Sequence, residues 1–175
     1  MRDTILCNSG ERKRQSYFFN TFLNTQLSDN VSYQYTFVKR WSKRVPGQDI
    51  FALDKIFFPI NISGLHWALV VANMQLKQIV YLDSLYSEKN STKYCNAIFE
   101  YIKNEHTHKK GTDLSNEWKI CQQEESMPQQ QNGYDCGVFV CVYGDLIACD
   151  KPLHFTTINM CRERIKYSIL RKKCF

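Results

Sequence analysis

The run Leu65 to Ala72 (Leu-His-Trp-Ala-Leu-Val-Val-Ala) constrains the fold more than any other segment, because it is uninterruptedly apolar from Trp67 onward. A strand with one wet face alternates apolar and polar residues; this one is apolar on both faces and is expected to be buried. It lies between two similar runs, Lys55 to Ile60 and Gln78 to Asp83, separated from it by Asn, Ser and Gly turns. Their β-branched and aromatic content predicts three neighbouring strands.

Around this block the period changes. Val31 to Lys43 carries Tyr35, Val38 and Trp41 near helical spacing and stops at the breaker Pro46-Gly47. Ser91 opens a helical stretch reaching about His106, with Tyr94, Ile98, Tyr101 and Ile102 on one face. Trp118 to Gln122 reads as a further strand, and Asp135 to Cys149 and Asn159 to Leu170 as the last helices. Tyr17 to Leu27 is aromatic-rich and fits helix or strand equally. Residues 1–16 are polar and charged and read as loop. The order helix, strands, helix, strand, helix, helix describes an α+β domain. With 175 residues, no internal repeat and no Pro/Gly/Ser-rich linker, one domain over residues 1–175 is expected.

Hydrophobic residues at 43% and charged residues at 23% are globular values and argue against disorder. The net charge of +6 suits an acidic partner but is equally common on proteins without one. The eight cysteines contain no Cys-x-x-Cys pair and no zinc-knuckle spacing. No export signal or spanning segment is legible, since the longest apolar run is far below the roughly 20 residues a membrane helix needs. Most of the thiols are therefore expected to be reduced, in a cytosolic or nuclear compartment.

The chemistry concentrates in Pro128 to Gly137, Pro-Gln-Gln-Gln-Asn-Gly-Tyr-Asp-Cys-Gly, directly before the apolar run Val138 to Val142. This pattern places Cys136 in the first turn of a helix, where unpaired N–H groups and the positive dipole end favour a thiolate. Gln130, six positions earlier, has a side-chain N–H to offer an oxyanion. A cysteine nucleophile also needs a base and a group that orients the base. His66 stands at the mouth of the buried strand and Asp83 at the end of the next. If those strands form a hairpin, both residues meet at one edge of the sheet. Singly, each has an ordinary explanation: a strand-start histidine bonded to backbone, an Asx-turn at Asp83, a small buried hydrophobe at Cys136. The conjunction points to a cysteine hydrolase. The chain order His, Asp, Cys excludes the papain order of Cys before His.

The segments Leu65-His66-Trp67-Ala68-Leu69, Tyr81-Leu82-Asp83-Ser84-Leu85 and Pro128 through Phe139 resemble the Ulp1/SENP family of SUMO proteases. Phe19 to Phe22, Val38 to Lys43 and Lys151 to Phe155 resemble it at matching spacings, so the likeness covers nearly the whole chain from about residue 17. The resemblance implies a papain-like α+β fold of the Ulp1 type, with a central mixed sheet flanked by helices. It implies that Cys136 attacks the carbonyl after the C-terminal diglycine of a ubiquitin-like modifier. His66 then serves as base, Asp83 orients it, and Gln130 with the Cys136 N–H forms the oxyanion hole. Trp67 closes a narrow tunnel over the diglycine. Phe22 and Arg40 match positions that contact the body of SUMO, against the ordinary readings of a core aromatic and a solvated helix charge.

One element of the family pattern, a Trp-Leu-Asn-Asp-like segment at the start of the domain, is not present. In the family it supplies a second tryptophan over the tunnel, so a shortened N-terminus and a weaker hold on the modifier are expected. The expected activity is that of a SUMO-specific isopeptidase needing no metal and no cofactor. Its expected partners are SUMO or SUMO-conjugated proteins, without nucleic acid or membrane, and it is expected to be a monomer, nuclear and also cytoplasmic. Two rivals remain open: a protease for another modifier such as NEDD8, and a weakly active homologue that only binds SUMO conjugates. His106-Thr107-His108 reads as solvated loop, and Arg162, Arg164, Lys166, Arg171, Lys172 and Lys173 as a solvated basic helix face.

Overall fold

Among the described residues, six strands form one sheet in sequence order: β1 (Thr4–Ser9), β2 (Arg12–Phe18), β3 (Lys55–Ile62), β4 (His66–Asn73), β5 (Gln78–Leu82) and β6 (Lys119–Cys121). The pairs β1–β2, β3–β4 and β4–β5 are antiparallel, while β2–β3 and β5–β6 are parallel. Among the described residues four helices accompany them: α1 (Tyr35–Val38), α2 (Glu88–Lys110), α3 (Cys136–Ala148) and α4 (Ile158–Arg171). The computed structural model describes residues 4–9, 12–21, 35–124, 126–155 and 158–171.

The sheet is covered on both faces, which explains the unbroken apolar runs. Successive side chains of a strand point to opposite faces. Ile56, Phe58 and Ile60 of β3 and Ala68, Val70 and Ala72 of β4 join one core with Tyr94, Ile98, Tyr101 and Ile102 of α2. The intervening Phe57, Leu69 and Val71 join a second core with Phe139 and Tyr143 of α3. At Gly144 the helix comes so close to the sheet that a methyl group would meet Cε1 of Phe18 at 2.9 Å. Phe18 is itself stacked on Phe57 with ring centres 4.2 Å apart, so it has little freedom to yield. Glycine thus seats the helix that carries the cysteine.

The three central strands and the four later elements lie where the periodicity predicts. α2 starts a few residues early, at Glu88, because Ser87 caps it by accepting from the Asn90 N–H. It also runs through His106 and His108, where the sequence predicts loop; the stop comes at Gly111, left-handed at φ 71°. Among the described residues of 31–43 only one α-turn forms, followed by a 3-10 turn at Trp41–Arg44.

The N-terminal loop reading is corrected. Thr4–Ser9 and Arg12–Phe18 form an antiparallel hairpin that joins β3 through Ser16↔Lys55, Tyr17↔Ile56 and Phe18↔Phe57. Charge in residues 11–14 suggested solvent, but strands at a sheet's margin commonly carry Lys and Arg. The backbone pairing offered by β3 outweighs weak intrinsic preference. No described helix is long and apolar enough to cross a membrane.

Candidate active site

His66 is fixed by a tight turn. Ser63 and Gly64 both take positive φ, Asn61 Oδ1 accepts from the Gly64 N–H at 2.8 Å, and Ile62 pairs with His66 to close the β3–β4 hairpin. The antiparallel pairing of β4 with β5 then returns the chain to the same edge, where Asp83 follows directly on β5. His66 Nε2 meets Asp83 Oδ1 at 2.6 Å. A carboxylate only accepts, so the Nε2 proton is on the histidine and Nδ1 is the nitrogen left to act as base.

Asp83 is held more firmly than the sequence suggested. Its side chain is fully buried, whereas that of His66 is 20% exposed. Oδ1 also accepts from the Leu85 N–H at 2.8 Å, so the residue closes an Asx-turn while it holds the histidine. The Tyr81 hydroxyl donates to Oδ2 at 2.6 Å. Burial first, and then this bond, push the Tyr81 hydroxyl far above the ordinary phenol value and keep it a donor. The Asp83 backbone is clamped by one side chain: its N–H donates to Gln123 Oε1 at 2.7 Å and its carbonyl accepts from Gln123 Nε2 at 3.2 Å.

The next residue stitches this edge to the cysteine loop. The Ser84 hydroxyl donates to Gln130 Oε1 at 2.6 Å, and the Ser84 carbonyl accepts from the Gln130 N–H at 3.1 Å. Gln130 Nε2 has two N–H groups and gives one to the Asn132 carbonyl at 2.5 Å. The other is available to a developing oxyanion.

Cys136 opens α3 and is 5% exposed. Asp135 precedes it but does not cap the helix with its side chain. The first-turn N–H groups therefore keep their positive potential at the thiol. Trp67 reaches this end of the helix, since a methyl group on Gly137 would meet its Cδ1 at 3.8 Å. The Asp135 carboxyl goes instead to Arg162 and Asn132. Burial raises its pKa, but these two hydrogen bonds outweigh burial and hold the carboxyl below its usual range.

His66, Asp83, Trp67, Gln130 and Cys136 thus come from β4, the end of β5, a loop and α3 to one edge of the sheet. Arg40 is exposed, in the turn after α1. Phe22 lies outside the described residues. Among those residues, no three His, Cys, Asp or Glu side chains gather as a metal ion would require. Sequence reading missed Tyr81, Ser84, Gln123 and Arg162. Tyr81 was findable, two residues before Asp83 and so on the same strand face. Gln123 left no signal, being 40 residues from its partner.

The chain matches the description "Ulp1 protease family, C-terminal catalytic domain" over residues 1–174. A sentrin-specific protease of Caenorhabditis elegans is 37% identical over 168 residues, covering 95% of this chain and 23% of that protein. The SUMO protease Ulp1 with its catalytic cysteine oxidised to a sulfenic acid is similar in structure, with a TM-score of 0.77 and 34% identity over 90% of this chain and 69% of that one. A second similar structure is the C-terminal Ulp1 protease domain in complex with Smt3, the yeast orthologue of SUMO. There the TM-score is 0.69 and the identity 35%, over 80% of this chain and 60% of that one. The chain spans about a quarter of the length of the worm protein and under half of an Arabidopsis thaliana ubiquitin-like-specific protease, 42%.

Proposed function

The chain belongs to the Ulp1 protease family, and on that premise we propose that it is a thiol isopeptidase that cleaves after the C-terminal Gly-Gly of SUMO. It releases SUMO from target lysines and also matures its precursors. The observation that carries this reading is the His66–Asp83 bond at the sheet edge to which Ser84 ties the loop leading into Cys136.

Cys136 Sγ attacks the terminal glycine carbonyl carbon while His66 Nδ1 takes the thiol proton. Gln130 Nε2 and the Cys136 N–H receive the charge that develops on the carbonyl oxygen. His66 returns its proton to the departing lysine amine, leaving a thioester that water hydrolyses by the same base. Asp83 keeps the imidazole in the tautomer that presents Nδ1, and stabilises the imidazolium. Trp67 covers the tunnel and admits only residues without side chains; Phe22 and Arg40 contact the body of the modifier. A nuclear, partly cytoplasmic location accompanies this reading, and imaging of the tagged chain checks it.

Labelling with a SUMO carrying a C-terminal electrophile tests the proposal. Wild type should form an adduct on Cys136, Cys136→Ala none, and His66→Ala an adduct only slowly. A missing adduct at high probe concentration, or faster labelling by a NEDD8 probe, would overturn the SUMO reading.

A further inference from the structure

The basic C-terminal stripe, expected to be solvated, behaves otherwise at Arg162. This residue of α4 reaches the loop before the nucleophile: Nε and Nη2 donate to Asp135 Oδ1 at 2.9 and 2.5 Å, and Nη2 to Oδ2 at 2.6 Å. Asp135 is 2% exposed and lies directly before Cys136. We infer that Arg162 is a positioning residue for the reaction, neutralising the carboxylate beside the thiol and locking the oxyanion loop to the helix that carries it. The inference rests on Cys136 being the nucleophile.

The physical need is plain. A buried carboxylate one residue from a thiol opposes ionisation of that thiol by like-charge repulsion. The fork of an arginine matches both carboxylate oxygens and cancels that charge with fixed geometry. Asp135 in turn organises the loop. Asn132 Nδ2 donates to Asp135 Oδ2 at 2.7 Å, and Asn132 Oδ1 accepts from the N–H groups of Tyr134 and Asp135, each at 3.1 Å. The Asn132 carbonyl in turn accepts from the Gln130 side chain, through Nε2. One unbroken chain of bonds therefore joins α4 to the residue proposed for the oxyanion. The Arg162 guanidinium also lies 5.5 Å from the ring centre of Tyr134, which adds a cation–π contact on the open side.

Among the described residues, the other charged or titratable groups at this end of the site are Tyr134, against Arg162, and two pairs. His66 and Asp83 come from β4 and the end of β5 and are bound to each other. Glu163 and Lys166 of α4 are exposed and pair with each other at 3.7 Å. The Asp135–Arg162 pair is thus the local charge whose balance changes on substitution.

The experiment is site-resolved alkylation of Cys136 by iodoacetamide across pH, in variants whose folding is checked by thermal melting. No modifier is involved, so failure here is separable from failure to cleave SUMO. Arg162→Gln should raise the midpoint of the alkylation profile by about one pH unit and slow the reaction about tenfold on its acid side. Arg162→Lys should keep most of the wild-type profile. The Asp135→Asn/Arg162→Gln pair should return the midpoint to near wild type although the tether is gone. An unmoved midpoint in Arg162→Gln, or a double variant shifted as far as the single one, overturns the inference. If Arg162→Gln does not fold, Asp135→Asn alone decides: the midpoint should fall, and a midpoint that stays in place overturns it.

Discussion

Asp83 and Glu105 are both fully buried carboxylates, and both accept a hydrogen bond from a tyrosine hydroxyl, Tyr81 and Tyr35 respectively. Their surroundings otherwise differ. Asp83 lies at the sheet edge and spends its oxygens on His66, Tyr81 and the Leu85 N–H. Glu105 lies within the α2 core, 3.6 Å from Lys109 of the next turn, and its Oε1 has no hydrogen-bond partner among the described residues. Burial of an acid therefore does not mark function. The difference is the histidine: Asp83 passes its orientation to a side chain that reaches solvent, whereas Glu105 ties α1 to α2 and passes nothing on.

The contrast breaks most readily at the acids themselves. Asp83→Asn should lower kcat on a SUMO substrate by roughly 10³–10⁴, the scale of losing the base's tautomer. Glu105→Gln should leave kcat unchanged and reduce stability by about 1–3 kcal/mol. Equal losses of kcat in both would erase the distinction. A smaller effect tests packing beneath the helix that carries Cys136. Gly144→Ala should cost about 1–3 kcal/mol in urea unfolding, because Phe18 cannot withdraw from the new methyl; an unchanged midpoint would show that α3 can shift outward freely.

The tyrosines sharpen the comparison further. Tyr81→Phe leaves a buried Asp83 oxygen without its donor, and kcat should fall about tenfold, whereas Tyr35→Phe should change stability alone. Steady-state kinetics beside melting curves separates the two outcomes. The smallest effect is alkaline and belongs to the α2 core. Burial pushes the Cys95 thiol from 9.0 up to about 12. Its contribution to stability is complete below pH 9.0 and is lost as pH rises through about 12. Raised hydroxyls at Tyr81 and Tyr143 act in the same direction. The urea midpoint should therefore decline above about pH 9, at up to about 1.4 kcal/mol per pH unit for each group, and Cys95→Ala should flatten the decline.

Much of this was legible because its signals are local. Both faces of β3 and β4 are buried, so their apolar runs could be nothing but central strands. The helix of Cys136 was marked by Asp135, Gly137 and the apolar residues that follow. The His66–Asp83 meeting followed from strand order, since two residues at the adjoining ends of a hairpin must share an edge. The N-terminal hairpin was not legible, because the strand that joins it to the sheet, β3, lies nearly 40 residues away in Ser16↔Lys55.

The sequence by itself determined the strands, the helices and the candidate nucleophile, base and acid, because periodicity and chain order depend on neighbours a few residues apart. Only the tertiary structure decided what holds that chemistry in place: the Gln123 clamp on Asp83, the Ser84 stitch to Gln130, and the arginine that answers the charge beside Cys136. Each joins residues 27 to 46 positions apart through two or three hydrogen bonds. Such bonds leave no period in the chain, and their geometry exists only once both cores have brought the sheet edge and the helix start together.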